Sequence, residues 1–173
     1  MKLDGNGKVD LEDLDALIRK SKNALVSLMH GNNEIGNINN LKLISKICDQ
    51  HNVVFHSDTV QTVGHYPINL NDINIHGIVG SAHKFHGPKG IGFLYLNNKH
   101  KISPFIHGGA QERNMRGGTE NVAGIVGFGK ACELAQNRLS SQKISALSRA
   151  MKDMSKHLSI VIPLMNLQKY GGI

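Results

Sequence analysis

Short apolar runs alternate with a helix-forming segment in the first third of the chain, and this alternation is the feature that most restricts the fold. Residues 24–29 and 52–55 are short and apolar, as buried strands are. Between them, Leu41, Ile44 and Cys48 repeat at helical spacing. A strand, a helix and a strand in this order predict two parallel strands joined by a right-handed crossover. We therefore expect an α/β protein with a mainly parallel sheet flanked by helices.

Further elements are predicted on both sides of this unit. Residues 10–21 carry a helical apolar stripe with Asp10 as the N-terminal cap, and residues 119–139 carry another with Thr119 as the cap. The second stripe consists of Val122, Ile125, Val126, Ala131 and Leu134. Extended segments are predicted at 75–79, 92–96 and 102–106, and one more helix at 141–158. A change of composition at 138–142 is the candidate domain boundary.

Composition and charge narrow the class of protein. The formal charge is +7, from 20 Lys+Arg against 13 Asp+Glu. The positive residues are scattered and form no nucleic-acid motif, so a basic soluble surface is favoured over a nucleic-acid partner. The sequence contains no run of about 18 apolar residues, which is the length that a membrane-spanning helix needs. Two cysteines cannot build a disulfide framework, which favours a reducing, cytoplasmic location.

Polar clusters follow three of the predicted strands, at residues 32–34, 56–61 and 81–84. The carboxyl ends of parallel strands share one edge of a sheet, where ligands bind in this class of fold. The third cluster is the most reactive, because Ser81, His83 and Lys84 supply a hydroxyl, an imidazole and an amine. A partly desolvated lysine can become a nucleophile or a Schiff-base partner, and Ser81 with His83 could hold an anionic group such as phosphate.

Lys84 and Asp58 are more informative together than apart. Alone, Lys84 could be a surface lysine before a glycine turn, and Asp58 a capping or turn residue. On adjacent strands they favour pyridoxal phosphate, which needs a lysine for its Schiff base and a carboxylate to keep its pyridine nitrogen protonated.

The sequence features that could indicate a metal site are weaker. Residues 4–8 resemble a calcium loop imperfectly and are predicted to be a surface turn, and the histidines show no metal-ligand spacing.

Four ordered motifs resemble a known family. They are NNEIG at 32–36, HSDTVQTVG at 56–64, SAHKFHGPKGIG at 81–92 and MRGGT at 115–119. Together they closely resemble the cysteine desulfurases, fold-type-I pyridoxal-phosphate enzymes of the class-V aminotransferase superfamily. The similarity runs in register from near residue 1 to about residue 165.

The resemblance implies an activity and its partners. The expected enzyme removes sulfur from L-cysteine, leaving alanine and an enzyme persulfide that supplies iron–sulfur cluster assembly. It would act as a homodimer, with an iron–sulfur scaffold or another sulfur acceptor as its protein partner. Two alternatives stay open: another class-V enzyme such as a selenocysteine lyase, or a truncated, catalytically inactive protein.

The resemblance also implies a role for each candidate site residue. No metal site is predicted, because the histidines lack metal-ligand spacing. Lys84 would carry the cofactor and later move protons on the substrate carbon. The other implied contacts are Asp58 with the pyridine nitrogen, Gln61 with the phenolic oxygen, Ser81 and His83 with the phosphate, Asn33 with the cofactor and the substrate carboxylate, and Thr119 with the phosphate of the partner subunit's cofactor.

Parts of the family pattern have no counterpart in the chain. These are the N-terminal phosphate loop with its stacking aromatic residue, the mobile loop with the nucleophilic cysteine, and the C-terminal arginine. Residues 1–139 are therefore expected to be a partial cofactor-binding domain, and 140–173 the beginning of a small α/β domain. Cys48 and Cys132 are predicted to be small buried side chains rather than the nucleophile. The isolated chain is expected to be inactive.

Overall fold

The structure, a computed structural model, describes residues 1–140. The helix predicted at 141–158, and all but the first residue of the small domain predicted at 140–173, lie outside the described residues. The elements in order are α1 (Leu11–Lys20), β1 (Leu25–Met29), α2 (Leu41–Gln50), β2 (Val54–Asp58), β3 (Gly77–Ser81), a 3₁₀ turn (Ala82–Phe85), β4 (Gly92–Leu96), the one-turn segment α3 (Gln111–Asn114) and α4 (Val122–Ser140).

The sheet has the strand order β1-β2-β3-β4. β1, β2 and β3 run parallel, and β4 pairs antiparallel with β3. Met29 is opposite Asp58, and Asp58 is opposite Val79, so the ends of the three parallel strands lie side by side. The predicted α/β class with a mainly parallel sheet is confirmed, and so is the strand–helix–strand unit that begins it.

Several boundaries differ from the predicted ones. β2 continues to Asp58 because the ladder with β1 extends beyond the apolar residues. β3 is displaced toward Ser81 because its ladder with β4 extends to that residue. Residues 102–106 were predicted to be extended but form no strand, and only Ile106 makes an isolated bridge. α4 begins at Val122. Asn121 caps it, because its Oδ1 accepts the Gly124 N–H at 3.0 Å, so the prediction of Thr119 as the cap was wrong.

Helices α1 and α2 cover one face of the sheet. Asp10 caps α1 by accepting two backbone N–H groups, and Asn40 caps α2 by accepting one. The helices and strands share one core, formed by Leu14, Ile18, Val26, Leu41, Ile44, Cys48, Val53, Phe55, Ile75 and Ile78. Burying each large aliphatic or aromatic side chain in it contributes about 1.5–3 kcal/mol. Within residues 1–140, no helix has the length and apolar character needed to cross a bilayer.

The two cysteines differ in environment. Cys48 is fully buried as predicted, and burial raises the pKa of its thiol to about 11. Cys132 is exposed, so the prediction that it is buried was wrong. It lies on α4 next to Ala131, which is buried together with Ala135, and one helical step turns its side chain away from that contact. Partial desolvation still raises the pKa of the Cys132 thiol.

The contact between α1 and α2 is expected to weaken in acid. Asp15 bonds His51 at 2.6 Å and Arg19 at 2.8 Å. The His51 hydrogen bond is the main cause that lowers the pKa of Asp15, with burial opposing it and Arg19 adding to it. Because the folded-state pKa is depressed, the stabilisation is complete above the unfolded-state pKa and is lost as the pH falls through the folded-state value.

Asp15→Asn should therefore lower the urea midpoint near neutral pH and flatten its decline from about pH 5 to about pH 2. Glu12→Gln removes an exposed carboxylate of the same helix and is the matched control. Denaturation curves of both variants over this pH range check the prediction. An Asp15→Asn curve that follows the wild type at every pH would contradict it.

Candidate active site

Asp58 lies at the end of β2 on the face of the sheet opposite α1 and α2. Side chains alternate along a strand, and Phe55 and Ser57 are fully buried on the helix-covered side. His56 and Asp58 therefore point to the other face, where His56 Nδ1 contacts the Ser27 hydroxyl at 2.9 Å. One Asp58 carboxyl oxygen accepts the Val60 N–H at 2.9 Å. The other carboxyl oxygen has no protein partner among the described residues.

Lys84 lies in the 3₁₀ turn that follows β3. Residues three apart share one side of such a turn, and Ala82 and Phe85 are buried while His83 and Lys84 are exposed. Phe85 packs against Ala131, Ala135 and the tilted ring of Phe128, all on α4. α4 therefore packs against the buried side of the turn, and the His83 imidazole and the Lys84 amine stay accessible on its other side.

Gly87 lets the chain return directly after this turn. Its N–H donates to the Ala82 carbonyl at 2.8 Å. A Cβ at this position would stand 2.8 Å from Ala82 Cβ and 3.1 Å from Ala131 Cβ, which is closer than real Cβ atoms approach without displacing a neighbour. The glycine-rich sequence after Lys84 thus serves close packing between the turn and α4.

Ser81, His83 and Lys84 lie together at the strand edge where Asp58 also lies. Ser81 Oγ and His83 Nδ1 are 2.8 Å apart, so the hydroxyl and the imidazole form a pair. Thr59, which follows Asp58, ties the two strand ends together, because its N–H and its hydroxyl both donate to the Val79 carbonyl, at 3.2 and 2.6 Å.

The side chains of Lys84 and Gln61 at this edge have no hydrogen-bond or ion-pair partner among residues 1–140. No ion pair joins Asp58 to Lys84 in the described part of the chain. β2, which ends at Asp58, and β3, which precedes the turn with Lys84, are adjacent parallel strands. The pairing of the lysine with the carboxylate stays a prediction.

Asn33 and Thr119 are not joined to this cluster by any described contact. Asn33 is exposed and donates to Glu34 Oε1 at 2.6 Å. Thr119 is exposed and follows Gly118, whose N–H donates to Gln111 Oε1 at 3.0 Å. That bond closes a loop whose residues 112–114 all have positive φ, which costs non-glycine residues about 1–2 kcal/mol each. The loop presents Thr119 outward.

Two histidines at this edge carried little or no signal in the sequence. His30 follows β1, and its N–H donates to the Asp58 carbonyl at 2.8 Å. Its Nδ1 and Thr62 Oγ1 form a hydrogen bond of 2.9 Å, and the same hydroxyl lies 3.2 Å from the Thr59 carbonyl oxygen. Burial lowers the pKa of His30, which favours the neutral imidazole. The only sequence signal was its position directly after a strand. His65, the second, contacts the Lys84 backbone and had no signal.

The amino-terminal turn at residues 4–8, which resembles a calcium loop imperfectly, is not arranged as a metal site. The Asp4 carboxylate accepts the N–H groups of Asn6 and Lys8 at 2.8 and 2.9 Å, so its oxygen is used within the turn. Among the described residues, no group of three or more His, Cys, Asp or Glu side chains is arranged to hold a metal ion. The surface turn predicted at residues 4–8 is observed.

The fold and the site together define an α/β protein with a lysine, a carboxylate and a hydroxyl–imidazole pair at the carboxyl edge of three parallel strands. The family described as Aminotransferase class-V matches residues 1–168. The chain belongs to this class-V aminotransferase family.

Relatives within the family are named cysteine desulfurases. The chain is 53% identical over 133 residues to "Cysteine desulfurase IscS" of Dictyoglomus turgidum, covering 77% of this chain and 34% of the relative. It is 49% identical over 133 residues to the protein of the same name from Methanosarcina thermophila, covering 77% of this chain and 33% of the relative. The chain thus spans about a third of the length of these relatives.

Solved structures agree with this assignment. A NifS-like protein from Rickettsia africae superposes with a TM-score of 0.84 at 36% identity, covering 92% of this chain and 45% of that one. The structure of SspA in complex with cysteine superposes with a TM-score of 0.73 at 35% identity, covering 77% of this chain and 39% of that one.

Proposed function

We propose that this chain is part of a pyridoxal-phosphate-dependent cysteine desulfurase, which transfers the sulfur of L-cysteine to an enzyme thiol as a persulfide and leaves alanine. The observation that carries the proposal is that Asp58 ends β2 and Lys84 lies in the turn directly after the adjacent parallel strand β3, beside the Ser81–His83 pair. The names of the relatives support the same activity, and the complex of SspA with cysteine supports the substrate.

The residues at this edge fit pyridoxal phosphate in their chemistry. An amine is available for its aldehyde carbon, a carboxylate for its protonated pyridine nitrogen, and a hydroxyl with an imidazole for its phosphate. Lys84, Gln61 and one oxygen of Asp58 have no protein partner among residues 1–140, so they can be engaged without breaking a described contact. When bound, the cofactor supplies an electron sink for the carbanion left when an amino acid loses its Cα proton.

Each side chain then has a defined task. The Asp58 carboxylate would accept the ring N–H and hold its proton in place. Gln61 would donate to the phenolic oxygen, and Ser81 with His83 would hold the phosphate. The Lys84 amine, exposed at the strand edge, is the group that would move the proton on the substrate Cα.

The substrate would be oriented by Asn33. Its amide donates to Glu34 and would give up that bond for the substrate carboxylate. The exchange replaces one charged acceptor by another, so the amide is not left without a partner.

We further propose a homodimer in which Thr119 reaches the phosphate of the partner subunit's cofactor. Thr119 is exposed, and large apolar side chains near it in sequence are exposed as well: Phe105 is 93%, Val122 66% and Val126 68% accessible. Apolar surface of this kind is typical of an interface with another subunit. We also propose that the protein is cytoplasmic. It would deliver the sulfur to an iron–sulfur scaffold or to another acceptor protein.

The nucleophilic thiol is proposed to lie outside these 173 residues. The buried Cys48 thiol has a pKa of about 11, and the pKa of the Cys132 thiol is also raised, whereas a nucleophilic cysteine needs a thiolate. We therefore expect no turnover from the isolated chain.

The test uses the full reading frame that contains this chain, supplied with pyridoxal phosphate and then with L-cysteine. Visible absorbance of a lysine-bound cofactor, followed by alanine and sulfide in the presence of a thiol reductant, is the expected result. Parallel assays with L-selenocysteine distinguish a selenocysteine lyase. A reading frame that binds no cofactor would overturn the proposal, and rapid turnover by residues 1–173 alone would overturn the placement of the nucleophile.

A further inference from the structure

Two contacts join the turn that carries Lys84 to the segment that follows β2. His65 Nε2 lies 2.7 Å from the Lys84 carbonyl oxygen. A carbonyl oxygen can only accept, so Nε2 carries a proton and donates it. Beside this bond the Gly64 backbone lies against the Phe85 ring, where a Cβ at Gly64 would stand 2.7 Å from the ring Cγ.

These contacts connect the two strand ends that carry the paired residues. The segment with His65 begins at Asp58 and is closed into a turn, because the Thr62 N–H donates to the Thr59 carbonyl at 2.9 Å and the His65 N–H donates to the Thr62 carbonyl at 3.0 Å. The Lys84 carbonyl belongs to the turn after β3. To shift relative to Asp58, the Lys84 backbone must break the bond from His65 or separate from the Gly64 contact.

We propose that His65 is a positioning residue for Lys84. Its donation to the Lys84 carbonyl holds the lysine backbone in register with Asp58 and Gln61, which lie on the same segment as His65. The inference rests on the proposed function, since a single cofactor would have to meet all three side chains. The bond does not depend on the charge of the imidazole, because Nε2–H donates both in the imidazolium and in this neutral tautomer.

The test compares His65→Gln with His65→Leu in the full reading frame. The glutamine amide nitrogen reaches about as far as Nε2 and keeps a donor, whereas leucine fills similar space without one. In the absence of cofactor, hydrogen exchange of residues 82–87 should rise in the leucine variant only, including the Gly87 amide. With pyridoxal phosphate, affinity should fall about five- to tenfold in the leucine variant and stay within about twofold in the glutamine variant.

If His65 acted through packing alone, the leucine variant would behave like the wild type, because leucine fills similar space without a donor. If leucine destabilises the fold, His65→Asn, whose shorter amide cannot reach Lys84, replaces it in the comparison. A leucine or asparagine variant with wild-type exchange and affinity would overturn the inference, as would a glutamine variant as defective as the leucine variant. If the wild type binds no cofactor but exchange responds as expected, the proposed function fails while the anchoring of Lys84 by His65 is supported.

Discussion

Lys84→Ala is expected to abolish covalent retention of pyridoxal phosphate without changing stability by more than about 0.5 kcal/mol. The Lys84 side chain is exposed and has no partner among the described residues, so its loss removes no packing and no hydrogen bond. Its amine is the group proposed to form a Schiff base with the cofactor aldehyde, and the neighbouring Ser81 hydroxyl and His83 imidazole cannot form one.

The matched control is Lys89→Ala, which removes an exposed lysine from the same glycine-rich segment. Borohydride treatment followed by mass spectrometry should fix one cofactor to the wild type and to the control, and none to Lys84→Ala. Turnover of L-cysteine by the full reading frame should disappear in parallel. A cofactor still fixed in Lys84→Ala would show that another lysine holds it and would remove the basis of the proposed function.

The location of the site could be predicted because it follows from chain direction alone. Parallel strands bring their carboxyl ends to one edge, so the alternation of elements at 24–55, together with the extended segment predicted at 75–79, predicts that Asp58 and Lys84 follow the ends of neighbouring strands. The direction of β4 also follows from the sequence in principle, since the connection from β3 is too short for a parallel crossover. The roles proposed for individual side chains came from the family resemblance and stay predictions.

The environment of α4 could not be predicted from its apolar stripe. Val122 and Val126 are largely exposed, while the residues that pack inward are the small Ala131 and Ala135. Small residues allow the helix to approach the turn around Phe85 closely, so side-chain size rather than hydrophobicity decides which face is covered. The prediction for Cys132 was wrong because Cys132 follows Ala131 by one helical step, which turns its side chain away from the covered face.

Contacts between segments that are distant along the chain also could not be predicted from the sequence. His65 bonds a carbonyl 19 residues away, and a lone histidine in a turn carries no pattern that indicates such a partner. Asn121 and Thr119 both suit a helix cap, and only the backbone path decides between them. These details depend on tertiary geometry that local periodicity does not contain.

Asp58→Asn is expected to lower the affinity for pyridoxal phosphate by about 10- to 100-fold, the range for losing a hydrogen bond to a charged group. The asparagine carbonyl can still accept the Val60 N–H, so the strand end keeps its shape. What is lost is the negative charge on the oxygen that would face the ring nitrogen. Without it the proton on that nitrogen is no longer favoured, and turnover should fall more than binding, because the electron sink depends on that proton.

Asp72→Asn removes an exposed carboxylate between β2 and β3 and should leave both quantities unchanged. Absorbance titration gives the affinity, alanine production by the full reading frame gives the turnover, and thermal melting shows that both variants fold. Equal losses in affinity and turnover would indicate that Asp58 only binds the cofactor. Wild-type behaviour of Asp58→Asn would mean that the carboxylate does not meet the ring at all, and the pairing of Asp58 with Lys84 would then be structural coincidence.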